Sequence, residues 1–147
     1  LNAIYLCLLL IGSPWLLWRY LRWGKNSRGW THKLFGRVPR RTSDRPCIWF
    51  HAVSVGEVNL LTPVLQRLKQ QRPDIEVVIS TTTETGFDLA KSKYDEISVF
   101  FFPFDFSWAI RNAMKRIRPH AIALTELELW PNFVHVASTC PLPGTDG

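Results

Sequence analysis

Carboxylates, hydroxyls and glycines gather in four short stretches of this sequence, each directly after an apolar run: Ser54-Val-Gly-Glu57, Thr81-Thr-Thr-Glu-Thr-Gly86, Pro103-Phe-Asp105 and Glu126-Leu-Glu128-Leu-Trp-Pro-Asn132. In the first, Ser54 and Gly56 allow a tight bend and Glu57 enters at the start of a helix. An acid there is favoured by the helix dipole by about 0.3–1 kcal/mol, which suits a cap. The same position keeps the carboxylate ionised and offers it to a ligand as a general base. Position alone leaves both readings open. The threonine-rich turn offers hydroxyls, Thr82 and Thr85 among them, and backbone N–H groups to a polar or anionic ligand, with Gly86 relieving the backbone where the next helix begins. A loop of β-favouring threonines is the alternative. Asp105 reads as a turn or capping acid. Glu126 and Glu128 form an i, i+2 pair that points one way if the segment is extended. One can face a ligand while the other supports it, and Asn132 closes the stretch. His51 reads as a satisfied core histidine, and His120 and His135 carry no spacing signal.

These stretches are placed by alternating apolar runs and helical repeats. Cys47-Ile-Trp-Phe-His-Ala-Val53 suits a strand buried on both faces. Val58, Leu61, Val64, Leu65 and Leu68 recur at helical spacing, and Pro63 within them predicts a kink or a restart with Thr62 as N-cap. Beyond it the pattern predicts a strand over 75–80, a helix over 85–93 and a strand over 97–102. Ser107 caps a helix running to about Arg118, and a fourth strand covers 121–125. This alternation implies βαβ units and an α/β, Rossmann-like fold with a parallel sheet and flanking helices. In such sheets ligands bind outside the carboxyl ends of the strands, where all four polar stretches fall.

Composition narrows the function classes. The 147 residues allow one domain, and 46% apolar content with 20% charged residues excludes a disordered chain. The net charge of +6 is unevenly distributed: nine Lys or Arg and one acid between Arg19 and Arg45 give +8, leaving −2 elsewhere. That balance argues against a nucleic-acid partner, which would need a basic folded face with a recognition motif. One glycine stands where a dinucleotide fingerprint needs three, against a nicotinamide or flavin site. Cys7, Cys47 and Cys140 are too scattered for a disulfide framework or a zinc site, and no cofactor or metal is expected. Residues 1–18 carry no charge, and Trp15, Trp18, Tyr20 and Trp23 precede or interleave with Arg19, Arg22 and Lys25. This predicts a membrane anchor or interfacial helix over 1–23 with the rest of the chain cytoplasmic, in preference to a signal peptide, whose positive charge would precede the apolar run. Residues 24–46 read as a basic juxtamembrane linker near an anionic membrane surface, 47–138 as the Rossmann-like domain and 139–147 as a divergent tail.

Together, Trp49-Phe-His-Ala-Val-Ser-Val-Gly-Glu57, Thr81–Gly86, Phe102-Pro-Phe-Asp105 and Glu126–Asn132 resemble the N-terminal domain of bacterial 3-deoxy-D-manno-octulosonic acid (Kdo) transferases, in the family's order. The resemblance implies the N-terminal half of a GT-B glycosyltransferase of lipopolysaccharide core biosynthesis, inverting and metal-independent, at the bacterial inner membrane. It would transfer Kdo from CMP-Kdo, held by a C-terminal donor domain absent here, to a lipid A precursor received by this half. On that likeness Glu57 is the base and Glu126 assists the transition state, while Ser54, Gly56, Thr82, Thr85, Gly86, Asp105, Glu128 and Asn132 contact substrate. Leu127 and Thr125 depart from the family's pattern. Without the donor domain the chain is expected to be inactive. The competing expectations are a membrane-anchored module that binds a lipid headgroup without catalysis, and a nucleotide-binding enzyme domain with another donor.

Overall fold

The computed structural model describes residues 3, 4, 7, 30–126 and 129–139. Most of the expected anchor, Glu128 and residues 140–147 lie outside that set, and among the described residues no helix is long and apolar enough to cross a membrane. The elements run α1 (Trp30–Phe35), β1 (Cys47–His51), α2 (Val55–Gln71), β2 (Glu76–Thr81), α3 (Glu84–Lys93), β3 (Ser98–Phe101), α4 (Ser107–Ile117), β4 (Ala121–Leu124) and α5 (Pro131–Thr139).

The strands form one parallel sheet in the order β3-β2-β1-β4, with Ile48 beside both Val77 and Ala121. Alternate residues point to opposite faces, which divides the core in two. Trp49, Val78, Phe100 and Phe102 pack with Ile110, Ala113, Met114 and Ile117 of α4 and with Phe133 and Val136 of α5. On the other face Phe50, Ile79 and Val99 pack with Val58, Leu61 and Leu65 of α2 and Ala90 of α3. The chain moves outward from β1 to β3 and then crosses back to β4 on the far side of β1. The strand order therefore reverses between β1 and β4, and the carboxyl ends of these two strands flank the crevice where open α/β sheets bind ligands.

The parallel sheet matches expectation, with strand ends shifted by one or two residues. Three local features differ. Pro63 lies inside a single helix, α2, on its solvent side, so the chain neither stops nor restarts at Thr62. The N-cap of α4 is Phe106, in extended conformation, and Ser107 is already the first helical residue. The folded unit also reaches back into the stretch expected to be linker. Val38 is buried in the core, and Gly36 adopts a left-handed φ of 59° so closely against α4 that a Cβ there would stand 2.0 Å from the Ala109 carbonyl oxygen. Trp108 Nε1 and Asn112 Nδ2 donate to the carbonyls of Leu34 and Phe35 at 3.1 and 2.7 Å. Arg41, also buried, donates to the carbonyls of Ile117 and Arg118 and to Glu76, so a cation closes the carboxyl end of α4, where the helix dipole favours one.

Candidate active site

The site is built where β1 and β4 end. After His51 the chain turns through Val53 and Ser54 into α2, and this turn brings the Glu57 side chain back over the end of β1. The Val53 N–H donates to Glu57 Oε2 at 2.7 Å, the Ser54 hydroxyl donates to Oε1 at 2.8 Å, and the Thr125 hydroxyl at the end of β4 donates to Oε2 at 2.6 Å. Thr125 Oγ1 also lies 2.9 Å from the His51 carbonyl, but the Thr125 N–H already serves that oxygen at 3.1 Å, which leaves the single hydroxyl proton for the carboxylate. Glu57 thus joins the first and fourth strands across the crevice.

This arrangement corrects one expectation about Glu57. It is not held out into an open cleft: it is 5% exposed, with its carboxylate turned back on the β1–α2 turn. Burial pushes its pKa up, but the hydrogen bonds from Thr125, Val53 and Ser54 outweigh that push and hold the carboxyl below the ordinary glutamate value of 4.5. The group is ionised at neutral pH and well oriented. A carboxylate has about four acceptor positions; with two donors on Oε2 and one on Oε1, Oε1 retains capacity for a further donor. Gly56, one residue before it, is exposed, and a methyl added there would meet no atom nearer than Ser54 Oγ at 3.9 Å. Nothing in the fold demands a glycine there, and a side chain added at Gly56 would stand in open space.

The threonine turn buttresses this turn. Thr83 is the N-cap of α3: its hydroxyl accepts from the Gly86 N–H and donates to the Val53 carbonyl, both at 3.1 Å. A Cβ on Gly86 would come within 2.8 Å of that hydroxyl and 3.5 Å of the Val53 carbonyl, so Gly86 is needed for the close approach of α3 to the Val53–Ser54 turn. Thr82 and Thr85 are exposed on the rim. Lys33, read from sequence as linker, reaches the same rim from α1. Its ammonium donates to the Thr82 carbonyl at 3.1 Å and sits 4.5 Å above the Phe101 ring. Burial lowers its pKa, against the attraction of Glu84.

Glu126 follows Thr125 directly and is exposed, one Cα step of about 3.8 Å from the residue that holds Glu57. Asp105 and Asn132 come together in a different arrangement. The Asp105 carboxylate accepts from the N–H groups of Asn132 and Phe133 at 3.0 and 2.7 Å, and Asn132 Nδ2 donates to the Asp105 carbonyl at 2.6 Å. A loop acid therefore caps α5 from 27 residues away, a role that sequence separation concealed. His51 is a buried core histidine, stacked on Phe102 at 4.1 Å between ring centres and 2.9 Å from the Ser80 hydroxyl. Cys47 is buried too, its thiol pushed up to about 11 chiefly by burial. Among the described residues no three His, Cys, Asp or Glu side chains converge as metal ligands. A groove of about 830 Å³ lies at the opposite, amino end of the strands, lined by Lys69, Tyr94 and Glu96 among others. It has no part in this constellation.

Residues 28–143 match the sequence profile of the family described as 3-deoxy-D-manno-octulosonic-acid transferase (kdotransferase). The chain belongs to this family. The 3-deoxy-D-manno-octulosonic acid transferase of Chlamydia pneumoniae is 30% identical over 138 residues, 92% of this chain and 32% of that protein. That of Chlamydia trachomatis serovar D is 28% identical over 135 residues, 90% of this chain and 31% of the relative. A Haemophilus influenzae enzyme of the same name is 34% identical over 89 residues, 60% of this chain and 21% of its own length. The chain therefore spans about a third of the length of its nearly full-coverage relatives. The match begins at residue 28, near the described fold's start at Trp30, well before β1.

Proposed function

We propose that the complete protein containing this chain transfers Kdo from CMP-Kdo to a sugar hydroxyl of a lipid A precursor, with Glu57 as the base. The observation that carries this reading is the ionised Glu57 carboxylate, fixed by three donors at the switch point between β1 and β4, with spare acceptor capacity on Oε1 and open space at Gly56. The acceptor hydroxyl would donate to Oε1. As its oxygen bonds to the anomeric carbon of Kdo, the bond from that carbon to the CMP phosphate oxygen breaks and its electron pair leaves with CMP. The proton passes to Glu57. A carboxylate of lowered pKa is a weak base toward a free alcohol, so proton transfer would come late, once the attacking oxygen has turned acidic. Glu126, exposed beside Thr125, would stabilise positive charge developing on the sugar.

The family likeness supports an inverting, metal-independent reaction of GT-B type, with CMP-Kdo bound by a further C-terminal domain. It also supports a site of action at the bacterial inner membrane, with the catalytic domain on the cytoplasmic face behind an N-terminal anchor. Thr82, Thr85 and Lys33 offer polar groups on the acceptor side.

Glu57→Gln in the complete enzyme tests this. A Gln carbonyl can keep the bonds from Val53 and Thr125, and the Ser54 hydroxyl can reverse to accept from the amide. Stability should therefore fall by only about 1–2 kcal/mol, while transfer falls by about 10² to 10⁴, the usual contribution of a positioned base. Acceptor binding should persist. Undiminished transfer would refute the role, and complete enzyme that binds acceptor yet never yields product would favour a headgroup-binding module.

A further inference from the structure

The three donors to Glu57 differ in what they can fix. Val53 and Ser54 lie four and three residues before it, where the chain turns into α2, so they fold the carboxylate onto its own turn. Thr125 lies 68 residues away at the end of β4, and its hydroxyl donates to Oε2 at 2.6 Å. Of the three, it alone crosses the crevice. Thr125 is itself held to the sheet: it is half-buried, and its N–H donates to the His51 carbonyl at 3.1 Å, continuing the pairing of β4 with β1. The bond also separates the two carboxylate oxygens. Oε2 receives both the Val53 N–H and the Thr125 hydroxyl and is filled, whereas Oε1 receives the Ser54 hydroxyl and keeps one acceptor position. Without Thr125 each oxygen would have a position open, on opposite sides of the group. Exposed Glu126 comes next in the chain, so one strand end carries both the second carboxylate and the hydroxyl that sets the first.

We propose that Thr125 is a positioning residue for transfer: its hydroxyl fixes the Glu57 carboxylate relative to the end of β4 and leaves Oε1 as the one oxygen presented to the acceptor hydroxyl. The inference rests on the proposed role of Glu57 as base and adds to it the group that aims the base. A base must stand within about 2.6–3.2 Å of the atom whose proton it takes, and a misplacement of about 1 Å can cost on the order of a hundredfold in rate. Val53 and Ser54 cannot supply that aim, because both belong to the wall of the crevice that carries Glu57. Two substitutions separate the hydroxyl from the shape of the side chain. Valine keeps the branched outline of threonine without the donor, and serine keeps the donor without the methyl.

The test compares Thr125→Val, Thr125→Ser, Glu57→Gln and the Glu57→Gln, Thr125→Val double variant with the parent, each as the complete enzyme assayed below its melting temperature. Thr125→Val should lower kcat about ten- to a hundredfold, with little change in KM for the acceptor. The acid limb of kcat/KM, which reports the base of the free enzyme, should move to higher pH, because the Thr125 hydroxyl lowers the Glu57 pKa and its loss lets that pKa rise. His51, Lys33, Glu84 and Glu126 are the same in both proteins, so the displacement belongs to Glu57. Thr125→Ser should restore both rate and limb. In the Glu57→Gln background Thr125→Val should cost no further rate, since two groups that act as one are not additive. Parental kcat and an unmoved limb in Thr125→Val would overturn the proposal, as would equal losses in the serine and valine variants, or a valine loss undiminished by Glu57→Gln. Lost transfer in Glu57→Gln beside full transfer in Thr125→Val would remove the role of Thr125 and keep the base. Full transfer in Glu57→Gln would remove the base, and the role of Thr125 with it.

Discussion

The helical layers on either side of the sheet differ in where their charges lie and in what their amino ends do. In α2 and α3 the three acids precede the four cations within each helix, and Lys69, Lys91 and Lys93 sit in last turns, where a helix dipole favours them. The amino ends of this layer carry the polar chemistry: Glu57 opens α2, and Thr83 and Gly86 open α3. In α4 the dipole accounts for Lys115 and Arg116 in the last turn, but not for Arg111 near the middle or for the lack of any acid. Ordinary helix stabilisation explains the first layer. The second carries more cations than acids, and the acid that caps the amino end of α5, Asp105, comes from a loop. One layer thus carries its polar side chains at the amino ends of its helices, at the switch point of the sheet, and the other carries an excess of cations.

The largest effect expected of a change confined to one layer is at Gly36. Gly36→Ala must adopt a left-handed φ, at a cost of about 1–2 kcal/mol, and its methyl would meet the Ala109 carbonyl at 2.0 Å. Displacing α1 adds about 1–3 kcal/mol of overpacking. Hydrogen exchange should then speed at α1 and in the first turns of α4, with little change in α2. If exchange in α2 rises equally, the two layers are one cooperative unit and the division between them fails.

Thr125 lies on the seam between β1 and β4, and Thr125→Val should cost about 1.5–3 kcal/mol, the range for a hydrogen bond to a charged group. The sign of the pH effect follows from Glu57. Its folded pKa lies below the unfolded value near 4.5, so its contribution to stability is complete above that pH and is lost as pH falls through the folded pKa. Without the Thr125 hydroxyl the folded pKa rises toward 4.5. The deficit of Thr125→Val should therefore be full at neutral pH and shrink as pH falls through the folded pKa of Glu57, so that the two proteins' melting temperatures converge in acid. A deficit that stays constant across that range would show that Thr125 does not govern Glu57.

These two positions also mark how far the sequence could be read. Strands were legible because runs such as Cys47–Val53 and Ile75–Ser80 are apolar on both faces of a buried parallel sheet, and the polar stretches after them gave the site its place. Helix α1 was not legible. Six residues without an apolar repeat are helical here because Trp108 and Asn112 hold them from α4, more than 70 residues later. The burial of Glu57 was hidden for the same reason, since its decisive donor, Thr125, is 68 residues distant and looked only like a departure from a motif. Ser107 carried the right residue type for a cap, yet Phe106 took the position because its ring belongs in the core. Local pattern located elements and loops; contacts between distant loops decided which polar atoms remained for chemistry.

The smallest expected effect on stability is at Gly56, where the comparison can be made sharpest. A methyl at this residue meets only the Ser54 hydroxyl at 3.9 Å, and the backbone is not left-handed. Near the amino end of α2, Ala should match or exceed Gly by up to about 1 kcal/mol, because it loses less backbone freedom on folding. If the space beside Glu57 is where an acceptor hydroxyl approaches, the same methyl narrows that approach. Gly56→Ala in the complete enzyme should then raise KM for the acceptor or lower kcat while the melting temperature holds or rises. Loss of transfer with unchanged or improved stability separates a residue kept for the ligand from one kept for the fold. Full transfer would place the acceptor elsewhere on the rim, beside Thr82 and Lys33, and would leave the open space at Gly56 without a role.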